Sequence, residues 1–239
     1  MAETGLTGIW VYLSASPLLG LTMTLLAYVA AHKLWLRFDR HPLLNPVAIA
    51  VLFLIAFLTL SDISYQAYFA GGQYVHFLLG PATVALAVPV YQQLARLKQI
   101  WLPVLLAVTA GVCTAALSAV IIAATLGAST QTQLSLAPKS VTAPVAMGIS
   151  EQVGGLPSLT AVMVVLTGIL GAVIGPRLFA WMRLDDDSIK GVAMGVTAHG
   201  IGTARAFQES REMGAFSGLA MALSAVLTAV LLPWLLIWL

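Results

Sequence analysis

Charge is scarce in this chain. Of its 239 residues only 8% are Asp, Glu, Lys or Arg, where soluble domains carry about 25%. No polar stretch is long enough to form an aqueous domain. The net charge of +2 gives no footprint for nucleic acid, which calls for a strongly basic face. Cys113 is the single cysteine, which excludes an intrachain disulfide and a cysteine-built zinc site. Segments of about ten residues with alternating polarity, the mark of a membrane β-barrel, are absent. So are His-Glu-x-x-His, a Walker loop and paired aspartates within the apolar runs. Lys139 and Ser140 are neighbours in sequence, so on a helix they stand ~100° apart and cannot act as a dyad. The expectation is a protein that is not an enzyme, with no catalytic residue, no metal and no cofactor. The opening Met1-Ala2-Glu3-Thr4 lacks the basic start of a cleavable signal, so the first apolar run is expected to remain.

What is present is apolar. Hydrophobic residues make up 60% of the chain, mean hydropathy is +0.96, and the apolar runs approach the ~20 residues that cross a bilayer. These observations imply an all-α polytopic membrane protein of six to eight transmembrane helices, some broken or re-entrant. The whole chain, 1–239, reads as one integral membrane domain: two plain spans over 1–60, then a core over 61–239 with broken helices near 80–90, 138–147 and 191–206. Span one is expected from about Ile9 to Ala31, with Pro17 as a kink. His32, Lys33, Arg37, Arg40 and His41 follow it and place that end on the cytoplasmic side. Asn45-Pro46 opens span two, which ends near Leu60. The tyrosine-rich 61–74 reads as an interfacial segment turning at Gly71-Gly72. Span three covers Phe77 to about Leu94, span four Ile100 to about Leu126, and span five Ser158 to about Ile174. Arg96 and Lys98, then Arg177, Arg183 and Lys190, mark further cytoplasmic ends. Asp187-Ser188 resembles a helix N-cap. Segment 191–206 is either a re-entrant hairpin or a broken crossing helix, and the last span runs from Gly214 to about Trp238.

The stretch Leu136-Ala137-Pro138-Lys139-Ser140-Val141-Thr142-Ala143-Pro144 does not suit lipid. A lysine at the bilayer centre costs about 2.5–3.5 kcal/mol on insertion scales, and its two prolines leave backbone groups without partners. If the segment dips into the membrane, Lys139 needs an anion. Ser140 and Thr142 add hydroxyls, and a helix opening after Pro138 adds free N–H groups and a positive dipole end. One lysine in a small pocket favours a small carboxylate as substrate. The other reading leaves Lys139 in the outer headgroup region. Leu79-Gly80-Pro81-Ala82-Thr83-Val84 echoes this stretch 57 residues earlier. Gly/Pro-interrupted segments in corresponding places point to a transporter's binding site. Thr83 would then supply a second helix terminus, or else simply bond back to its own helix.

Downstream, His199 and Thr203 stand at i, i+4 spacing and are expected on one helix face. His199 is a candidate for substrate or proton handling, or a packed, hydrogen-bonded histidine. Arg205 is a binding candidate or an interfacial anchor. Glu151, the carboxylate nearest the lysine motif, is a proton-coupling candidate or a helix-end charge.

Four motifs together resemble the LrgB/CidB family: Pro138-Lys139-Ser140-Val141-Thr142-x-Pro144-x-Ala146-Met147, Gly154-Gly155-x-Pro157-Ser158-Leu159-Thr160-Ala161, Ala198-His199-Gly200-Ile201-Gly202-Thr203-Ala204-Arg205-Ala206 and Gly214-Ala215-Phe216-Ser217-Gly218-Leu219-Ala220-Met221. The stretch from Leu79 to Ala87 fits the same pattern, and the likeness runs from about Tyr68 to the C-terminus. Gly148 departs from it, standing where members often carry an acidic residue. The resemblance implies a bacterial plasma (inner) membrane protein and a small LrgA/CidA-type membrane partner, with self-association left open. It implies two competing functions. One is transport of a small monocarboxylate of the glycolate, glycerate or pyruvate class. The other is antiholin- or holin-like control of murein hydrolase export and autolysis. Broken helices around a polar site are what a carrier needs, so the carrier is the expectation.

Overall fold

The computed structural model describes residues 16–38, 44–78, 81, 84–85 and 87–236. Thr83 and its neighbours at 79, 80 and 82 fall outside these, as do Arg40, His41 and both chain ends. All regular structure among the described residues is helical. The chain divides into two compact units, Met1–Ala85 and Leu86–Leu239.

The first unit holds α1 (Pro17–Arg37), α2 (Pro46–Leu60) and α3 (Tyr65–Phe77). Pro17 does not kink a helix. It starts one, with Ser16 Oγ accepting from Leu18 N–H as the cap, because proline's missing N–H is harmless in a first turn. Asn45-Pro46 does the same for α2, Asn45 Oδ1 accepting from Val47 and Ala48 N–H at 2.9 and 3.2 Å. The expected turn at Gly71-Gly72 is absent, and α3 runs through both glycines. Their lack of side chain serves packing instead. A Cβ on Gly71 would run into the Pro17 carbonyl, and one on Gly20 into that of Tyr68. Across the same seam the Thr24 and Tyr68 hydroxyls lie 2.8 Å apart, while Ala27 and Ala31 of α1 and Ala50 of α2 make a small buried cluster.

The second unit begins with α4 (Ala87–Gln92) and α5 (Leu94–Thr125). The 32 residues of α5 span ~48 Å, more than the ~30 Å hydrocarbon core. The surplus is bent away at Ile100, whose φ −118° and ψ 17° break the helix three residues before Pro103. This is where a proline removes a backbone hydrogen bond and crowds the preceding turn. Next come two short helices, α6 (Thr130–Leu136) and α7 (Ala143–Val153). Ser129 caps α6, and Gly154, at φ 88°, closes α7 in the left-handed conformation glycine tolerates best. Helix α8 (Pro157–Trp181) continues past the expected end at Ile174, with Pro176 inside it. The N-cap of α9 (Asp187–Glu209) is Asp186, one residue earlier than expected, accepting from Ser188 and Ile189 N–H. Helix α10 (Arg211–Leu236) ends the described chain.

Helix α9 is a hairpin. At His199 the backbone turns to φ 42°, ψ −131°, and the chain reverses. Met194 and Gly202 would be ~12 Å apart in a straight helix, yet a Cβ on Gly202 would lie 2.8 Å from the Met194 carbonyl oxygen. Both legs pack on α10: Gly195 of the first leg meets the Ser217 backbone, and Thr203 of the second bonds Ser217 Oγ at 2.9 Å.

Helices α6 and α7 form a second hairpin entering from the opposite end. Ser150 in α7 bonds Thr160 in α8, while deeper down Val141 and Ala146 pack on Val164. Arg96, Asp186 and Glu212 are ion-paired, so the starts of α5, α9 and α10 share one end of the unit. Leu232 packs with Val120, Ala137 and Ile149, so the close of α10 lies at the other end, with α6 and α7. The order is crossing helix, hairpin, crossing helix, hairpin, crossing helix, with the hairpins entering from opposite ends. Such inverted arrangements characterise many secondary transporters. Among the described residues, the turn at His199 is the one that enters opposite the 138–142 turn.

Among the described residues four helices are long and apolar enough to cross a membrane: α1, α5, α8 and α10; α2 is apolar but shorter. Together with the composition, they make this an integral membrane protein.

Candidate functional site

The two hairpin turns meet at Val164 of α8. Val141 packs against Val164 from one side, and His199 Nε2 donates to its carbonyl oxygen at 3.0 Å from the other. The first turn also touches the middle of α5, where Val112, Ala116, Pro138 and Ser140 line a void of about 10 Å³. Val112 lies ~27 Å along α5 from its start and ~20 Å from its end at 1.5 Å per residue, so this turn sits well inside the apolar zone. Three of its features arise from local sequence. Pro138 cannot continue α6 by donating an N–H. Pro144 takes a first-turn position of α7, and Thr142 is its N-cap residue. Between them the chain has no regular structure to hide its polar groups.

Lys139 is half-buried on this turn. Its Nζ lies 3.5 Å from Ser140 Oγ, and no carboxylate is within ion-pairing distance among the described residues. Ser140 is buried. Thr142 is half-buried, and its hydroxyl makes no capping bond to α7. Facing Ser140 from α10 is Thr228, which lines the same void, and one turn away Ser224 Oγ is buried without a hydrogen-bond partner. Thr228 and Ser224 escaped the sequence reading. The signal was present: Ser217, Ser224 and Thr228 recur at helical spacing in the last apolar run, and all three are almost fully buried.

The structure separates the other sequence candidates. His199 and Thr203 do not address one site: the imidazole turns to α8, and Thr203 Oγ1 to the His199 carbonyl at 2.8 Å and to Ser217 of α10. The reversal at His199 removes the shared helix face that the i, i+4 spacing suggested. Against Gly168 the histidine fits closely, since a Cβ there would meet Cε1 at 2.8 Å and Nε2 at 2.9 Å. Arg205 lies on the returning leg and pairs with Glu209 and Gln208, away from the turns. Glu151 is exposed near the far end of α7. Thr83 lies outside the described residues. Among the described residues no cluster of His, Cys, Asp and Glu could hold a metal ion.

A cavity of about 580 Å³ runs between α5 and the first leg of α9, from Arg96 and Asp186 at the charged end to Gly111, Val196 and Thr197 near the turns. At its mouth Arg96 bonds Asp186 at 2.8 Å and also Glu212. The Ser188 hydroxyl donates to Asp186. That bond first, then the N–H groups of Ile189 and Ser188 and the Arg96 charge, holds the Asp186 carboxyl below the usual carboxylate range against a smaller opposing effect of burial.

The LrgB-like family model matches residues 24–238, which takes in most of α1 and all of the later helices. The chain belongs to the LrgB-like family. It is 39% identical over 210 residues to the uncharacterised protein YwbG of Bacillus subtilis (strain 168), covering 88% of this chain and 93% of that one. It is 37% identical over 205 residues to YxaC of the same organism, covering 86% and 89%. The holin-like protein CidB of Staphylococcus aureus (strain N315) is 32% identical over 210 residues, covering 88% and 91%. No solved structure matches the chain.

Proposed function

We propose that this LrgB-like protein is a secondary transporter for a small monocarboxylate, of the glycolate, glycerate or pyruvate class. The observation that carries the reading is Lys139: a half-buried ammonium on a re-entrant turn, with no carboxylate near it among the described residues. A cation at such depth is costly unless an anion joins it. Ser140, Thr142 and Thr228 stand around the same turn as hydroxyl donors, and Ser224 has donor capacity to spare. In this account His199 positions the second turn through Val164, Arg205 anchors the returning leg, and Glu151 remains the proton-coupling candidate. Thr83 keeps its place as a further binding candidate. Six to eight membrane segments, a bacterial inner-membrane location and a small LrgA/CidA-type partner belong to the same reading.

A second reading is favoured by one specific observation, the holin-like name carried by the CidB relatives. A holin-like role needs an oligomeric opening rather than a selective site. Proteoliposomes decide between the two. The carrier gives saturable exchange of a labelled monocarboxylate and retains a co-loaded dye of several hundred daltons. Release of the dye, with no saturable exchange of any of the three acids, would establish the holin-like function.

A further inference from the structure

Val196 is shared by two spaces of very different size. On one side is the cavity of about 580 Å³ that begins at Arg96. On the other is the void of about 10 Å³ against Pro138, Ser140 and Thr228. The first has the capacity of a small-molecule pocket. The second is at the lower limit for a single water and cannot hold a hydrated carboxylate. Between them the Val196 side chain is seated on α5 at Gly111, where a Cβ would lie 2.7 Å from Val196 Cγ1. Val196 is 6% exposed, whereas its neighbour Thr197 is open to the large cavity.

We propose that the large cavity is the vestibule of the carboxylate site on the Arg96 side, and that Val196 against Gly111 is its closed gate. The inference rests on the carrier reading and deepens it. An anion passing this point must shed its water against an isopropyl group and a bare backbone, which offer nothing in return. A valine in a helix has essentially one χ1 state, so rotation of the side chain does not open the path. The leg carrying it must move. The means is close by: three residues on, His199 occupies a φ of 42°, a backbone state that costs non-glycine residues energy and clusters at switching segments. The gate opens when the first leg of α9 tilts away from α5 about that turn, carrying Val196 off Gly111.

Thiol labelling tests the gate without depending on transport. In a Cys113→Ser background, Thr228→Cys reports on the turn and Thr197→Cys on the vestibule. A charged, membrane-impermeant methanethiosulfonate is applied from the Arg96 side of oriented vesicles. Thr197→Cys should label rapidly whether position 196 is Val or Ala, which also shows that Val196→Ala leaves the fold intact. Thr228→Cys should label slowly with Val196 and at least tenfold faster with Val196→Ala. Equal rates for Thr228→Cys in the two backgrounds would overturn the gate, and failure of Thr197→Cys to label would overturn the vestibule. Monocarboxylate exchange, measured in vesicles of the Cys113→Ser protein with Thr228 intact and position 196 as Val or Ala, keeps the two claims apart. Exchange without any effect of Val196→Ala on labelling removes the gate and leaves the carrier. Accelerated labelling without exchange removes the carrier.

Discussion

At the scale of single residues, several glycines make room for a close neighbour and Gly148 does not. Gly168 leaves room for the His199 ring, and Gly111 for Val196. Gly148, in contrast, sits exposed inside α7 with nothing within 4 Å of where a Cβ would be. Glycine in a helix interior costs roughly 0.5–1 kcal/mol relative to alanine, so Gly148→Ala should raise the unfolding free energy by about that amount. Thermal unfolding of the purified protein in detergent measures it, and a lowered midpoint would show that the position makes contacts this fold does not contain.

The next scale is the helix and the hairpin. Much was legible here in the sequence, because prolines and small polar residues mark where helices start. Asn45-Pro46 was legible as a helix start, whereas Ser16-Pro17 read as a kink although it opens α1. Pro138-to-Pro144 was readable as a break in lipid-like sequence, with the helix opening at Thr142-Ala143-Pro144 rather than directly after Pro138. The hairpin at His199 was readable only as one of two alternatives. Helix reversal there depends on a positive φ at a histidine, which is a tertiary outcome and leaves no periodicity. The pairing of Thr228 with the turn at Ser140 was hidden for the same reason, since it joins residues far apart in sequence. The turn at Gly71-Gly72 was misread because glycine serves close packing as well as turns, and a single chain does not tell the two apart.

The hydroxyls of α6, α7 and α8 hold the first hairpin. Thr160 Oγ1 lies 2.9 Å from the Ser135 carbonyl oxygen and 2.7 Å from Ser150 Oγ, while Ser135 Oγ accepts from Leu156 N–H at 2.8 Å. Thr160 is fully buried, so no water replaces its bonds when they are lost. Thr160→Val keeps the shape and removes the hydroxyl, at an expected cost of about 1–3 kcal/mol from the unsatisfied partners. Denaturant or thermal unfolding reads the loss. A change below about 0.5 kcal/mol would mean that the cluster is satisfied in some other way.

For the whole molecule, the charges at the Arg96 end join three helices outside the apolar zone. Asp186 has its carboxyl pKa depressed, by the Ser188 hydroxyl first and by Arg96 among lesser causes. A depressed folded pKa contributes stability that is present above the ordinary aspartate value, about 3.9, and is lost as pH falls from there through the depressed value. Stability in detergent should therefore be level near neutrality and decline below about pH 4, and Asp186→Asn should remove part of that decline. The effect is small, because Arg96 and Asp186 are 39% and 41% exposed and exposed pairs contribute about 0–1 kcal/mol. A midpoint that rises on acidification would contradict the assignment.

All of these features surround one central claim, that Lys139 at the first hairpin turn receives a carboxylate. Ligand-induced stabilisation of the purified protein tests it most directly, because a ligand that binds only the folded state raises the unfolding midpoint by mass action. Glycolate, glycerate or pyruvate should shift the midpoint of the unsubstituted protein in a saturable way. Lys139→Ala should fold and show no shift, while Lys139→Arg should retain part of it. An equal, saturable shift with Lys139→Ala would place the carboxylate elsewhere and contradict the account.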